Sequence, residues 1–107
     1  MAYDERLAER VRAALGDRDD LREQQMFGGI AFMAGGKMCV GVTNDDLMVR
    51  LGVDEHAGAL KRLHVRPMDF TGRPMKGFVF VGAEGVKTKR QVQAWVDRAL
   101  AYRATLG

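Results

Sequence analysis

The chain contains no serine, which removes every mechanism built on a serine nucleophile. Thr43, Thr71, Thr88 and Thr105 remain, but none is amino-terminal and none sits in a nucleophile motif, so threonine catalysis is not expected. With one cysteine, Cys39, no internal disulfide can form and stability must come from packing. No apolar run approaches the roughly 20 residues of a membrane-spanning helix. The opening Met1-Ala2-Tyr3-Asp4-Glu5-Arg6 also lacks the basic-then-apolar order of a secretion leader, and the expectation is a cytoplasmic protein without membrane contact. Dense basic stripes are missing too. The net charge is only +3, although residues 1–53 carry seven Lys/Arg against nine Asp/Glu and residues 54–107 carry ten against five. That asymmetry, from −2 to +5, hints at an acidic partner but falls short of the footprint of a dedicated nucleic-acid binder.

What is present is ordinary globular material: 107 residues, 47% apolar and 29% charged, the size of one domain spanning 1–107. Tyr3, Leu7, Val11 and Leu15 recur at four-residue steps and predict a first helix, capped by Asp4 and stopped by Gly16. The polar run 17–24 reads as a connector anchored by Leu21. From residue 25 the period becomes two and both faces are apolar, predicting a central strand over 26–33. Gly35-Gly36 predicts a tight hairpin into a strand over 37–43, and Asn44-Asp45 a turn into a third strand with Leu47, Val49 and Leu51. Residues 53–63 predict a short helix with Ala57, Leu60 and Leu63 on its apolar side, ended by Arg66-Pro67. A short strand over 68–70, a turn over 71–74 and a longer strand over 76–81 with Phe78 and Phe80 on one face follow. Thr88-Lys89-Arg90-Gln91 is a capping box opening a last helix with Val92, Trp95, Val96, Ala99 and Leu100 on its apolar face. The predicted fold is α+β, two-layered, in the order α-β-β-β-α-β-β-α, with helices packed on a mainly antiparallel sheet.

Chemistry-bearing clusters are few. Cys39 lies mid-strand, where a thiol behaves as a small buried apolar group. His56 and His64 are eight residues apart, too far for the four-residue pairing that shares a metal, and read as solvated surface residues. Asp45-Asp46 and Asp54-Glu55 lack the alternation and glycine of a calcium loop and read as turn and helix-start carboxylates. Gly35-Gly36-Lys37 is followed by Met38 where a phosphate loop needs Ser or Thr. No catalytic residue, metal or cofactor is expected.

Two segments stand out instead. Met26-Phe27-Gly28-Gly29 sets glycines beside large apolar residues in a strand, where another backbone or side chain could approach closely. Arg66, Met68, Asp69, Phe70, Gly72, Arg73, Met75 and Lys76 form a loop in which thioethers lie among cations, a composition suited to an adaptable contact surface. An equally good reading of Arg66, Arg73 and Lys76 is a solvated loop tied to Asp69 by ion pairs. Met26, Met33, Met38 and Met48 read as core.

Met26-Phe27-Gly28-Gly29, the Gly36-Lys37-Met38 entry to the next strand, Asp46-Leu47-Met48-Val49-Arg50, and the Trp95-Val96 and Ala99-Leu100 pairs resemble the amino-terminal domain of the TfoX/Sxy competence-regulator family. The resemblance covers nearly the whole chain. It implies a two-layer, secretion-chaperone-like fold and a regulator without catalytic residues that acts together with other transcription factors. Segment 66–77 looks like that of a stand-alone, single-domain branch.

The expectation is therefore a small non-enzymatic regulatory module that contacts a protein partner through 26–29 and 66–76. If only three helices cover the sheet, part of its second apolar face stays open, and a homodimer would bury it. The alternative is a nucleic-acid binder using Arg66, Arg73, Lys76, Lys87, Lys89 and Arg90 on phosphates, with Phe70 or Phe78 stacking on bases.

Overall fold

The computed structural model describes residues 3–26, 28–69 and 74–106. In chain order it contains α1 (Glu5–Leu15), β1 (Leu21–Met26), β2 (Gly29–Ala34), β3 (Lys37–Thr43), β4 (Asp46–Arg50), α2 (Val53–Leu60), β5 (Val65–Asp69), β6 (Pro74–Val81), a 3-10 turn (Ala83–Gly85) and α3 (Lys89–Ala104). The six strands form one antiparallel sheet in the order β1-β2-β3-β4-β6-β5. The α+β architecture is as the sequence predicts, with one strand more.

That extra strand is β1. Residues 17–24 are not all connector: Leu21–Met26 pairs with β2 from Leu21↔Ala34 to Met26↔Gly29. Its polar sequence follows from its place at the sheet edge, where Glu23 meets Arg12 of α1 through two hydrogen bonds of 2.7 and 3.0 Å. The single strand predicted over 26–33 is thus two, because Gly28 takes a left-handed φ of 73° and the chain reverses there.

Helix ends obey local chemistry. Asp4 caps α1 by accepting from the amides of Arg6 (2.9 Å) and Leu7 (3.4 Å), and Gly16 closes it at φ 71°. In α3 the Thr88 hydroxyl accepts from the Gln91 amide (3.1 Å) while the Gln91 side chain accepts from that of Thr88 (3.0 Å). Helix α2 stops at Leu60, three residues short of the predicted end. A turn closed by Arg62 N–H on the Ala59 carbonyl (3.0 Å) and Val65 N–H on that of Arg62 (3.3 Å) takes over. The packed side of α2 therefore runs through His56, Ala59 and Leu60, while Ala57 and Leu63 are exposed. Pro67 does not end a helix; it lies inside β5, an edge strand where a missing N–H is tolerated.

All three helices feed one core: Leu7, Val11, Ala59, Val92, Trp95 and Val96 cluster with Ile30, Phe32, Val40, Val49 and Val79 from the sheet. The alternate sheet residues Met48, Met68 and Phe80 form a second cluster on the opposite face, flanked by half-buried Met38 and Phe78. Phe80 is buried on that second face, which Phe78 shares as the alternation predicts. A bulge decides which side Met38 joins. The register passes from Phe32↔Val40 to Met33↔Met38, leaving Cys39 as the extra residue. Cys39 stays in the helix-side core, with its thiol pushed up to about 11 by burial, and Met38 swings to the other face.

Candidate interaction surface

Among the described residues no helix contributes to the second cluster, and this helix-free face, reached by α3 only at its edge through Tyr102, is built by strand alternation. Strand β4 presents Asp46, Met48 and Arg50 on one side and buries Leu47 and Val49 on the other. The β4–β6 register sets Met48 opposite Phe80 and Arg50 opposite Phe78. Across β6, Arg66 of β5 stands opposite Phe80. Its guanidinium lies 5.0 Å from the Phe80 ring centroid and forms an ion pair with Asp46, one hydrogen bond of which is 3.3 Å. Arg50 lies 5.5 Å from the Phe78 centroid and 5.6 Å from that of Tyr102 on α3. Each guanidinium thus rests on an aromatic face, the geometry of a cation–π contact. Lys76 joins this rim, sharing with Arg50, Phe78 and Tyr102 the wall of a small cavity of about 60 Å³.

Chemically, the surface offers the half-buried Met38 thioether, the half-buried Phe78 ring and the guanidiniums of Arg50 and Arg66, with Met48, Met68 and Phe80 buried beneath them. Asp46, the carboxylate found on it among the described residues, is engaged by Arg66. Among the described residues no group of three His, Cys, Asp or Glu side chains could hold a metal ion. No helix among them is long and apolar enough to cross a membrane.

The predicted surface residues do not converge on one place. Arg66, Met68 and Lys76 belong to β5 and β6, whereas Gly28 and Gly29 lie at the β1–β2 corner. Strands β3 and β4 stand between β2 and β6, a separation of roughly 14 Å at the spacing of sheet strands. Met68 is 1% exposed and supports the face from beneath. Gly29 is buried against its own sheet: a Cβ there would overlap the Val42 carbonyl oxygen and lie 3.0 Å from Thr43 Cα. The close approach its sequence suggested is made by β3. Phe27, Phe70, Gly72 and Arg73 lie outside the described residues, as do the side chains of Met26, Asp69 and Met75. The described partner of Arg66 is Asp46.

The cations proposed for phosphate contact are divided as well. Arg66 is on the helix-free face, whereas Lys87, Lys89 and Arg90 open α3 on the other side, where Lys87 pairs with Glu84 at 3.1 Å. Of the histidines, His64 is exposed. His56 is half-buried against the packed side of α2, with Nε2 lacking a hydrogen-bond partner among the described residues.

Sequence reasoning missed Asp46, Met38, Met48 and Arg50 as parts of this face. For three of them the signal was available: positions 46, 48 and 50 alternate with the core residues Leu47, Val49 and Leu51.

Comparison with curated proteins finds no match, and comparison with solved structures finds none. A family model, that of the TfoX N-terminal domain, matches residues 13–102. The matched stretch takes in the whole six-stranded sheet, the glycine corner at 28–29 and the Trp95 face of α3, and on that ground the chain belongs to the TfoX N-terminal domain family.

Proposed function

We propose that this protein is a competence-regulator-like module that acts by binding another protein and carries out no reaction itself. The observation behind the reading is the helix-free sheet face, where half-buried Met38 and Phe78 border a methionine–phenylalanine cluster rimmed by Arg50 and Arg66. The half-buried Met38 thioether and Phe78 ring beside oriented guanidiniums give a small apolar patch with a polar rim, the anatomy of a protein contact. Arginine held on an aromatic ring loses little further freedom on binding, which favours it as an anchor.

The test replaces Phe78 with a photo-reactive phenylalanine analogue in cells. A discrete adduct from position 78, absent when the analogue occupies exposed Gln93 on α3, is the expected result. An adduct of twice the chain mass would identify a second copy as the partner. Equal labelling from both positions, or none from position 78, refutes the assignment. So does submicromolar oligonucleotide binding at about 0.15 M salt that weakens steeply with added salt and with Arg66→Ala, which would establish nucleic acid as the partner instead.

A further inference from the structure

On the helix-bearing side of the molecule, a groove of about 400 Å³ lies between the turn after α2 and the start of α3, lined by Arg62, Leu63, His64, Arg90 and Trp95 among others. Leu63 is 80% exposed, the highest value among the large apolar residues described as exposed. It is held outward by an ordered turn. The next residue, His64, has a left-handed φ of 68°, uncommon for a side-chain-bearing residue. His64 is fixed in turn by its carbonyl, which accepts the Gly82 amide at 2.8 Å, and by Gly85, where an added Cβ would come within 3.2 Å of His64 Cβ. Backbone strain persists only where the surroundings hold it, and it tends to cluster at functional sites.

Among the described residues neither Arg62 nor Arg90 has a carboxylate partner, and neither do the adjacent Lys61 and Lys89. Of the carboxylates on the flanking elements, Glu84 pairs with Lys87 at 3.1 Å and Glu55 with Arg98 at 2.8 Å, Asp97 accepts from the Gln93 side chain at 2.8 Å, and Asp54 forms no ion pair among the described residues.

We infer that this groove docks an acidic segment of a partner protein, one that places a large apolar side chain against Leu63 and carboxylates against Arg62 and Arg90. Two observations favour a peptide over nucleic acid. Trp95 is only 6% exposed, with the guanidinium carbons of both Arg62 and Arg98 at 4.9 Å from its ring centroid, so it offers no free face for a base to stack on. An outward aliphatic side chain at the centre of the charge cluster has no counterpart on a phosphate backbone, whereas it matches an amphipathic peptide. This site is separate from the sheet face proposed above and stands or falls independently of it.

Trp95 is the sole tryptophan of the chain and lines the groove, so its emission reports occupancy without a label. The probe is a displayed library of random peptides of about 15 residues, long enough for a few helical turns, selected on the intact protein. Selected peptides should be rich in Asp and Glu around at least one large apolar residue and should shift Trp95 emission saturably. Leu63→Gln and Arg90→Glu should each weaken them at least about tenfold. Both side chains are exposed, so the variants should melt like the parent. Lys37→Glu, at the β2–β3 turn, should leave affinity unchanged. Selected peptides without acidic bias, affinity indifferent to both substitutions, or tighter binding of a single-stranded oligonucleotide in the same groove would overturn the inference.

Discussion

Gly28 and Gly29 are neighbours that resist alanine for opposite reasons, and the difference is measurable. At Gly28 an added Cβ meets nothing within 4 Å, so space is no obstacle; the obstacle is φ at 73°. Holding an L-residue in that region costs about 1 kcal/mol. Gly29 has no positive φ, but its Cβ would collide with the backbone of Val42 and Thr43. A flexible side chain could move aside, whereas here the obstacle is a strand fixed by the neighbouring Ile30↔Val42 pair and by β4 beyond it. Overpacking of this kind costs about 3 kcal/mol. For a domain of this size these figures correspond to losses of about 5 °C for Gly28→Ala and about 15 °C for Gly29→Ala. Gly28→Asn is the control, since asparagine enters the left-handed region more readily and should recover part of the loss. Thermal melts followed by far-UV circular dichroism give all three values. A Gly29→Ala variant as stable as the parent, or Gly28→Asn no better than Gly28→Ala, would refute the reasoning.

Trp95→Ala removes a buried indole from the helix-side core and should cost about 3 to 5 kcal/mol, read from urea unfolding; an unchanged midpoint would contradict the placement of α3 on the sheet. Cys39, with its thiol held up near 11 by burial, should be inert to a disulfide exchange reagent at pH 8 in the folded protein, where only about one molecule in a thousand is thiolate, and reactive once unfolded. Rapid native labelling would show the strand open. The same shift has a sign for stability: between the unfolded thiol value near 9 and about 11 the unfolded chain binds fewer protons, so stability falls as pH rises through that window. Cys39→Ala should flatten that part of the stability–pH curve relative to the parent.

The elements legible in the sequence were those with a periodic face or a capping side chain. Leu7, Val11 and Leu15 mark α1, the Thr88–Gln91 box marks the start of α3, and Gly35-Gly36 marks the β2–β3 turn because two left-handed residues were required there. Strand β1 was hidden since an edge strand buries little and needs no apolar alternation; Arg22, Glu23, Gln24 and Gln25 are all exposed. The end of α2 was misplaced because Leu63 continues the spacing of an apolar stripe yet points to solvent. Spacing tells which residues share a helix face only while the helix lasts, and the hydrogen bonds that close the turn after Leu60 come from its backbone.

The second face of the sheet was harder to see because it depends on pairing across the chain. Met38 shares even numbering with Val40 and Val42, so strict alternation assigns it to the helix-side core. The bulge at Cys39 shifts the phase by one and sends Met38 to the opposite face, beside Met48. Cysteine suits the extra position, small enough to enter the filled core and without a polar group that would demand a strong partner. Arg66 shows the same dependence at longer range. Its local neighbour Asp69 was the natural ion-pair candidate in sequence, yet the sheet brings it Asp46, twenty residues away, because β6 returns beside β4 and carries β5 with it. Phe80, the residue between those two strands, is what the Arg66 guanidinium settles over. The cationic rim of this face is therefore a product of strand order, which no run of residues along the chain encodes locally.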